Sequence, residues 1–123
     1  MRFHHVLLAM PPGAEDRARS FYRDVLHMTE IPKPVTLAPL GGAWFRLGSV
    51  ELHLGIDGSH RAAAKAHPGI KVDDLDEVAR RLTAAGHVVL HDSLFPGRRR
   101  FYTSDPFGNR LEVLGPDGGG DTT

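Results

Sequence analysis

Residues 67–86, HPGIKVDDLDEVARRLTAAG, read as a short strand running straight into a helix. Branched Ile70 and Val72 suit a pleated, half-buried strand. Asp73 and Asp74 can then cap a helix whose Leu75, Val78, Ala79 and Leu82 fall on one stripe, with Gly86 placed to end it. The chain has already used this grammar once. Residues 3–10, FHHVLLAM, form a strand that stops at Pro11-Pro12-Gly13. Residues 14–27, AEDRARSFYRDVLH, put Ala14, Ala18, Phe21, Tyr22, Val25 and Leu26 on one helical face. Strands follow each helix. After the first come a proline- and glycine-rich loop over 31–42, with room for at most a short edge strand, and a hairpin of Trp44–Leu47 and Val50–Ile56 around Gly48-Ser49. After the second come HVVLH (87–91), RRRFYTS (98–104) and NRLEVL (109–114), the last two joined by the turn Asp105-Pro106-Phe107-Gly108. Together these elements make an α+β fold of two strand–helix–strands modules, about 3–56 and 67–114, with a polar connector 57–66, in a single domain of about 2–116. The tail, 117–123, has nothing to bury and is expected to be disordered.

At 123 residues the chain has the size of one domain, and 41% apolar with 24% charged residues is ordinary globular usage. Fifteen basic residues balance fifteen acidic ones, which leaves no positive surplus for a phosphate backbone, so no nucleic-acid partner is expected. No apolar run approaches the ~20 residues that span a bilayer, and polar His4 and His5 come too early for a secretory signal. A cytoplasmic protein without a membrane partner is expected. Zero cysteines exclude disulfides, thiolate metal sites and cysteine nucleophiles. Eight histidines remain as the residues most able to carry chemistry.

Four candidate ligands fall at matching places in the two copies. His5 and His67 open them, 62 residues apart, while His53 and Glu112 lie near their ends, 59 apart. Two ligands per copy at equivalent positions suit one metal site on a pseudo-two-fold axis. Three imidazoles and one carboxylate suit Fe, Mn, Ni, Co or Zn, and do not suit calcium, which prefers oxygen. Both His53 and Glu112 stand on the strand face opposite their apolar neighbours.

Five stretches in order, HHVLLA, FYRDVLHM, VELHL, HPGIKVDDLDEVARRLTAAG and RRFYTSDPFGNRLEVL, resemble the vicinal oxygen chelate superfamily, which groups glyoxalase I, bleomycin and fosfomycin resistance proteins, and extradiol dioxygenases. They cover about residues 3–114, with one departure at His27, where the family usually has glycine. The resemblance implies paired βαβββ modules whose cupped mixed sheets surround a central cavity holding a divalent metal. It implies ligands on the first and last strands of each module, which carried over are His5, His53, His67 and Glu112. It also implies a metal-dependent enzyme, a lyase or isomerase or else a dioxygenase, acting on a small-molecule substrate whose vicinal oxygens fill open positions on the ion. Glyoxalase I uses two glutamate ligands, one of them as base, and His53 stands where one would be. A set of His5, His67 and Glu112 alone matches the 2-His-1-carboxylate ligands of non-haem iron oxygenases, so the role of His53 separates the two chemistries. Related proteins pair across a two-fold axis, so a homodimer is expected, with the option that a site takes one module from each chain. The competing class is a metal-free small-molecule binding or antibiotic-sequestering protein of the bleomycin-resistance type, with an apolar, aromatic-lined groove.

Tyr102 and Arg100 are the candidate catalytic side chains. Arg98, Arg100 and Tyr102 alternate onto one face, so Arg100 can meet an anionic substrate; a solvated strand edge is the plainer reading of the arginine run. Tyr102 can give a proton or hydrogen bond to bound substrate, or simply pack in the wall. Trp44 and Phe45 either line a pocket or fill the core. His4 points away from His5 and reads as structural or exposed, His27 suits a helix C-terminus, and His60, His87 and His91 read as surface residues.

Overall fold

Eight strands carry the chain in a computed structural model that describes residues 1–118. Most of the tail expected to be disordered, residues 119–123, lies outside the described residues. The first four strands are β1 (His5–Met10), β2 (Thr29–Ile31), β3 (Ala43–Leu47) and β4 (Val50–Ile56). The second four are β5 (Gly69–Lys71), β6 (Leu90–Asp92), β7 (Arg100–Ser104) and β8 (Arg110–Leu114). They form two open sheets in the orders β1-β4-β3-β2 and β5-β8-β7-β6. In each sheet the first strand runs parallel to the last, and the remaining pairs are antiparallel. This is the expected α+β architecture of two βαβββ modules. Two compact units divide the residues: 1–62 with 106–109, and 63–105 with the residues from 110 on.

The first unit buries one face of its sheet under a helix. Phe45 on β3 pairs with Leu52 on β4, and both are buried with Leu54 and Met10. The helix supplies Ala18, Phe21 and Tyr22, and the Tyr22 ring lies 5.5 Å from that of Phe45. Residues 14–27 were expected as one regular helix. The segment instead starts as α1 (Glu15–Ala18) and widens into a π-helical stretch over Arg19–Val25. Leu26 N–H donates to the Phe21 carbonyl five residues back. The wider turn lets adjacent Phe21 and Tyr22 both go inward, edge to face at 4.9 Å. His27 then reverses the chain at φ 60, the left-handed region, which accounts for the glycine usual in the family at this place. Gly42 has the same kind of duty ahead of β3: at φ 84, an added Cβ would strike the Leu54 carbonyl oxygen. The 106–109 turn belongs to this unit as well. Arg17 and His60 donate to the Pro106 and Phe107 carbonyls at 3.0 and 2.8 Å, and Asn109 donates to the Ala9 carbonyl at 2.8 Å.

The second unit repeats the plan with α2 (Leu75–Ala84). Asp74 caps it, its carboxylate accepting from Glu77 N–H at 3.1 Å. The helix turns Leu75, Val78 and Leu82 inward, and the sheet buries Ile70, Phe101, Leu111 and Val113. Two strands are shorter than the sequence pattern suggests. Pro68 has no N–H for the ladder, so β5 begins at Gly69 and His67 stands just ahead of it. His87 N–H is engaged by the Leu82 carbonyl at the helix end, so β6 starts only at Leu90. Among the described residues no helix is long and apolar enough to cross a membrane.

Candidate metal centre

Strand register makes the two modules equivalent residue by residue. On the parallel pair of the first sheet, Leu7 stands opposite His53; on that of the second, Gly69 stands opposite Glu112. Leu7 lies two residues after His5, and Gly69 two residues after His67. The antiparallel neighbours correspond too: Trp44 is opposite His53, and Tyr102 is opposite Glu112. So the four candidate ligands occupy matching places, two per unit.

In the second unit, His67 and Glu112 converge. Nε2 of His67 lies 3.0 Å from Oε1 of Glu112, and its Nδ1 lies 2.7 Å from the Lys65 carbonyl. A carbonyl only accepts, so Nδ1 donates to Lys65, while Nε2 stands at hydrogen-bond distance from the carboxylate, a donor to it when protonated and a metal ligand when not. The other carboxylate oxygen is already engaged: Arg100 Nη1 donates to Glu112 Oε2 at 2.9 Å. The same guanidinium grips Asp92 with Nε at 2.8 Å and Nη2 at 3.1 Å. These hydrogen bonds, to Asp92 first and then to Glu112, raise Arg100 above the usual arginine pKa. Burial is the largest influence on Glu112 and acts upward, but the hydrogen bonds from Arg100 and His67 prevail and hold its carboxyl below the usual range. One imidazole nitrogen and one carboxylate oxygen thus face each other, each oriented by a second partner, as outer-shell groups orient metal ligands.

In the first unit, His53 is the middle ring of a stack. Trp44 lies on one face, parallel within 2° and 3.8 Å away, and the His5 ring lies 4.1 Å from that of His53 at 13°. Only 3% of His53 is exposed, and its Nε2 donates to Glu51 Oε1 at 2.8 Å. Burial, more than any other influence, pushes His53 below the usual imidazole value, against the Glu51 hydrogen bond that raises it. Neutral imidazole is the form that ligates metal, and the Glu51 contact leaves Nδ1 as the available nitrogen. His5 is exposed, with its Nδ1 2.9 Å from Nδ1 of His4. Parallel rings aim their in-plane lone pairs side by side, so chelation through both needs the exposed His5 ring to turn. Among the described residues no group of three or more His, Asp or Glu side chains is gathered to hold a metal ion.

The remaining candidates sort by their contacts. Each arginine of the run has its own carboxylate: Arg98 on Asp117, Arg99 on Asp76 at 2.6 Å, and Arg100 on Asp92 and Glu112. Arg100 therefore spends its donors within the protein, at the site. Tyr102 stands over the same pair, its ring 5.5 Å from that of His67. Phe45 fills the core, whereas Trp44 covers His53. His60 is half-buried rather than at the surface, bound to the Phe107 carbonyl. Three residues gain importance that their sequence context did not give them: Glu51, Asp92 and Arg110. The signal for Glu51 and Arg110 was alternation, since each lies two residues before a candidate ligand and shares its face. Asp92 needed the β6–β7 register, which sets it opposite Arg100.

A family model described as the Glyoxalase/Bleomycin resistance protein/Dioxygenase superfamily matches residues 2–113. Among solved structures, the chain is similar to a glyoxalase family protein from Bacillus anthracis, at 41% identity over 95% of this chain and 96% of that one, with a TM-score of 0.91. It is similar to lactoylglutathione lyase from Agrobacterium tumefaciens at 25% identity over 93% and 92% of the two chains, TM-score 0.72. A genomically encoded fosfomycin resistance protein from Listeria monocytogenes shares the fold, at 15% identity over 94% and 93%, TM-score 0.75. No curated protein matches the chain.

Proposed function

The chain belongs to the glyoxalase/bleomycin resistance protein/dioxygenase superfamily, and we propose that it is a metal-dependent enzyme acting on a small substrate with two neighbouring oxygens, by lyase or isomerase chemistry. The observation that carries this reading is the His67–Glu112 pair, an imidazole nitrogen and a carboxylate oxygen 3.0 Å apart, each held in orientation by a second partner. A divalent ion held by His5, His53, His67 and Glu112 would supply Lewis-acid polarisation of the substrate oxygens. The protein's own part is to present the ligands. The Lys65 carbonyl engages Nδ1 of His67 and so turns its Nε2 toward Glu112, Arg100 takes Oε2 of Glu112 and leaves Oε1 facing His67, and burial favours the neutral form of His53. Tyr102, which the register sets opposite Glu112, would give a hydrogen bond to substrate.

Two donors per unit fall short of the three or four protein ligands that such ions take. We further propose a homodimer in which a His5–His53 half meets a His67–Glu112 half of the other copy. The similarity to a lactoylglutathione lyase supports the lyase side of the reading. The sequestering alternative calls for an apolar groove, whereas the face around Glu112 carries Arg100, Asp92 and Arg110. Oxygen uptake by the iron-loaded protein with catechol separates the chemistries. No uptake, with metal retained, is expected; catechol-dependent uptake would make it a dioxygenase, and a protein that takes up no metal would favour sequestration.

A further inference from the structure

Arginines in the second unit's sheet come with carboxylates, with one exception. Arg100 has Asp92 and Glu112, and the neighbouring Arg98 and Arg99 have Asp117 and Asp76. Arg110, the first residue of β8, has no carboxylate within ion-pairing distance among the described residues. Its guanidinium lies instead on the ring of Tyr102, 4.2 Å from the centroid. The sheet register fixes where that is. Tyr102 is opposite Glu112, Arg110 is opposite Ser104, and Arg110 and Glu112 alternate onto one face two residues apart, about 6.6 Å along the strand. Arg100 lies in the row on the other side of Tyr102, 5.0 Å from the same ring. Asp92 is the other acid of this face, and both its oxygens are taken by Arg100.

Among the described residues Arg110 is half-buried and makes no direct ion pair; Asp92 feels its charge but has both oxygens on Arg100, so an anion brought to the Arg110 guanidinium would be favoured. Stacking on a tyrosine limits the rotamers of the guanidinium and leaves its edge, a planar fork of N–H donors, for a planar anion. We infer that Arg110, braced on Tyr102, is the subsite for an anionic group, a carboxylate or similar oxyanion, carried by the substrate beside the oxygens that meet the metal. This rests on the metal-site reading above and adds to it a charge on the substrate and a residue that selects for it.

Catechol and 3,4-dihydroxybenzoate test it, because they share the vicinal oxygens and differ by a carboxylate across the ring. Cobalt uptake is read first, by visible absorption, in wild type and Arg110→Gln. Each probe is then titrated calorimetrically into the cobalt-loaded proteins. The carboxylate also acidifies the ring hydroxyls, so the readout is the change in preference between the two proteins. A charged hydrogen-bonded pair corresponds to a preference lowered about 10–100-fold in Arg110→Gln, with catechol affinity and cobalt uptake within about twofold of wild type. Arg110→Lys, keeping the charge without the fork, should fall between. Equal preference in wild type and Arg110→Gln overturns the subsite while leaving the metal reading intact. So does loss of cobalt uptake in Arg110→Gln alone, which would make the residue structural. Wild type that takes up no cobalt overturns the metal reading and the subsite with it.

Discussion

Replacing Arg100 by methionine keeps the aliphatic stem and removes the guanidinium. In the folded chain that group donates to Glu112 at 2.9 Å and to Asp92 at 2.8 and 3.1 Å. The Glu112 contact is largely withdrawn from water on both sides, with the side chains 14% and 12% exposed. A hydrogen bond to a charged partner contributes about 1.5–3 kcal/mol, and its loss leaves a desolvated carboxylate uncompensated. The contacts to the more exposed Asp92 add little. A loss of about 2–3 kcal/mol is therefore expected at pH 7.5, read by urea unfolding with a chelator present so that no metal contributes. The pH dependence is the sharper test. In the wild type, burial pushes the Glu112 carboxyl up, and the hydrogen bonds from Arg100 and then His67 bring it below its usual range. A lowered folded pKa means stability present above the unfolded carboxyl value and lost as pH falls through the folded one. Without Arg100, burial prevails, the carboxyl titrates higher, and the variant recovers part of its loss by taking up a proton. The gap between wild type and variant is thus widest at neutral pH and narrows toward pH 4. A gap under about 0.5 kcal/mol at pH 7.5, or one that widens in acid, refutes the reasoning.

Other expectations follow from the same contacts. Burial lowers the His53 pKa, so its contribution to stability is present above the usual imidazole value near 6.5 and is lost as pH falls below it. Metal-free wild type should therefore lose stability between pH 7 and pH 5 in thermal melts, and His53→Asn should flatten that slope; the same variant should lower metal affinity ~10–100-fold or more. His27 sits at φ 60, so His27→Gly should relieve about 1 kcal/mol and raise Tm by about 4 °C; an unchanged or lower Tm would contradict the strain. If the metal site is shared, a refolded mixture of a His5→Ala/His53→Ala chain with a His67→Ala/Glu112→Ala chain regains about a quarter of wild-type metal binding, because half the dimers are mixed and each has one intact site of two. Neither parent binds alone, and a mixture that stays empty contradicts sharing.

What could be read from the chain alone was what depends on local period. Alternation along VELHLGI and NRLEVL put His53 and Glu112 opposite the apolar residues, and the Asp74 cap, the α2 stripe and Gly86 delimited a helix close to the one observed. The π-helical stretch was not legible, because Ala18, Phe21 and Tyr22 form an inward stripe whether the turn closes four or five residues back. Pairings across strands were not legible either. Asp92 meets Arg100, and Arg110 reaches Tyr102, only once loop lengths have set the β6–β7 and β7–β8 registers. The His53 stack is of the same kind: Trp44 was visible as an aromatic near a hairpin, but only the β3–β4 register lays it on the imidazole.

Metal content tests the central claim most directly. Protein purified without a histidine tag, exchanged into metal-free buffer after loading, is assayed by elemental analysis beside Glu112→Ala, with circular dichroism confirming that the variant is folded. The variant keeps the Arg100–Asp92 contact, so the fold should survive while the only anionic ligand is gone. The predicted result is about one divalent ion per chain in the wild type and close to none in Glu112→Ala. Full occupancy that persists in Glu112→Ala, or a wild type that retains no metal, would contradict the account.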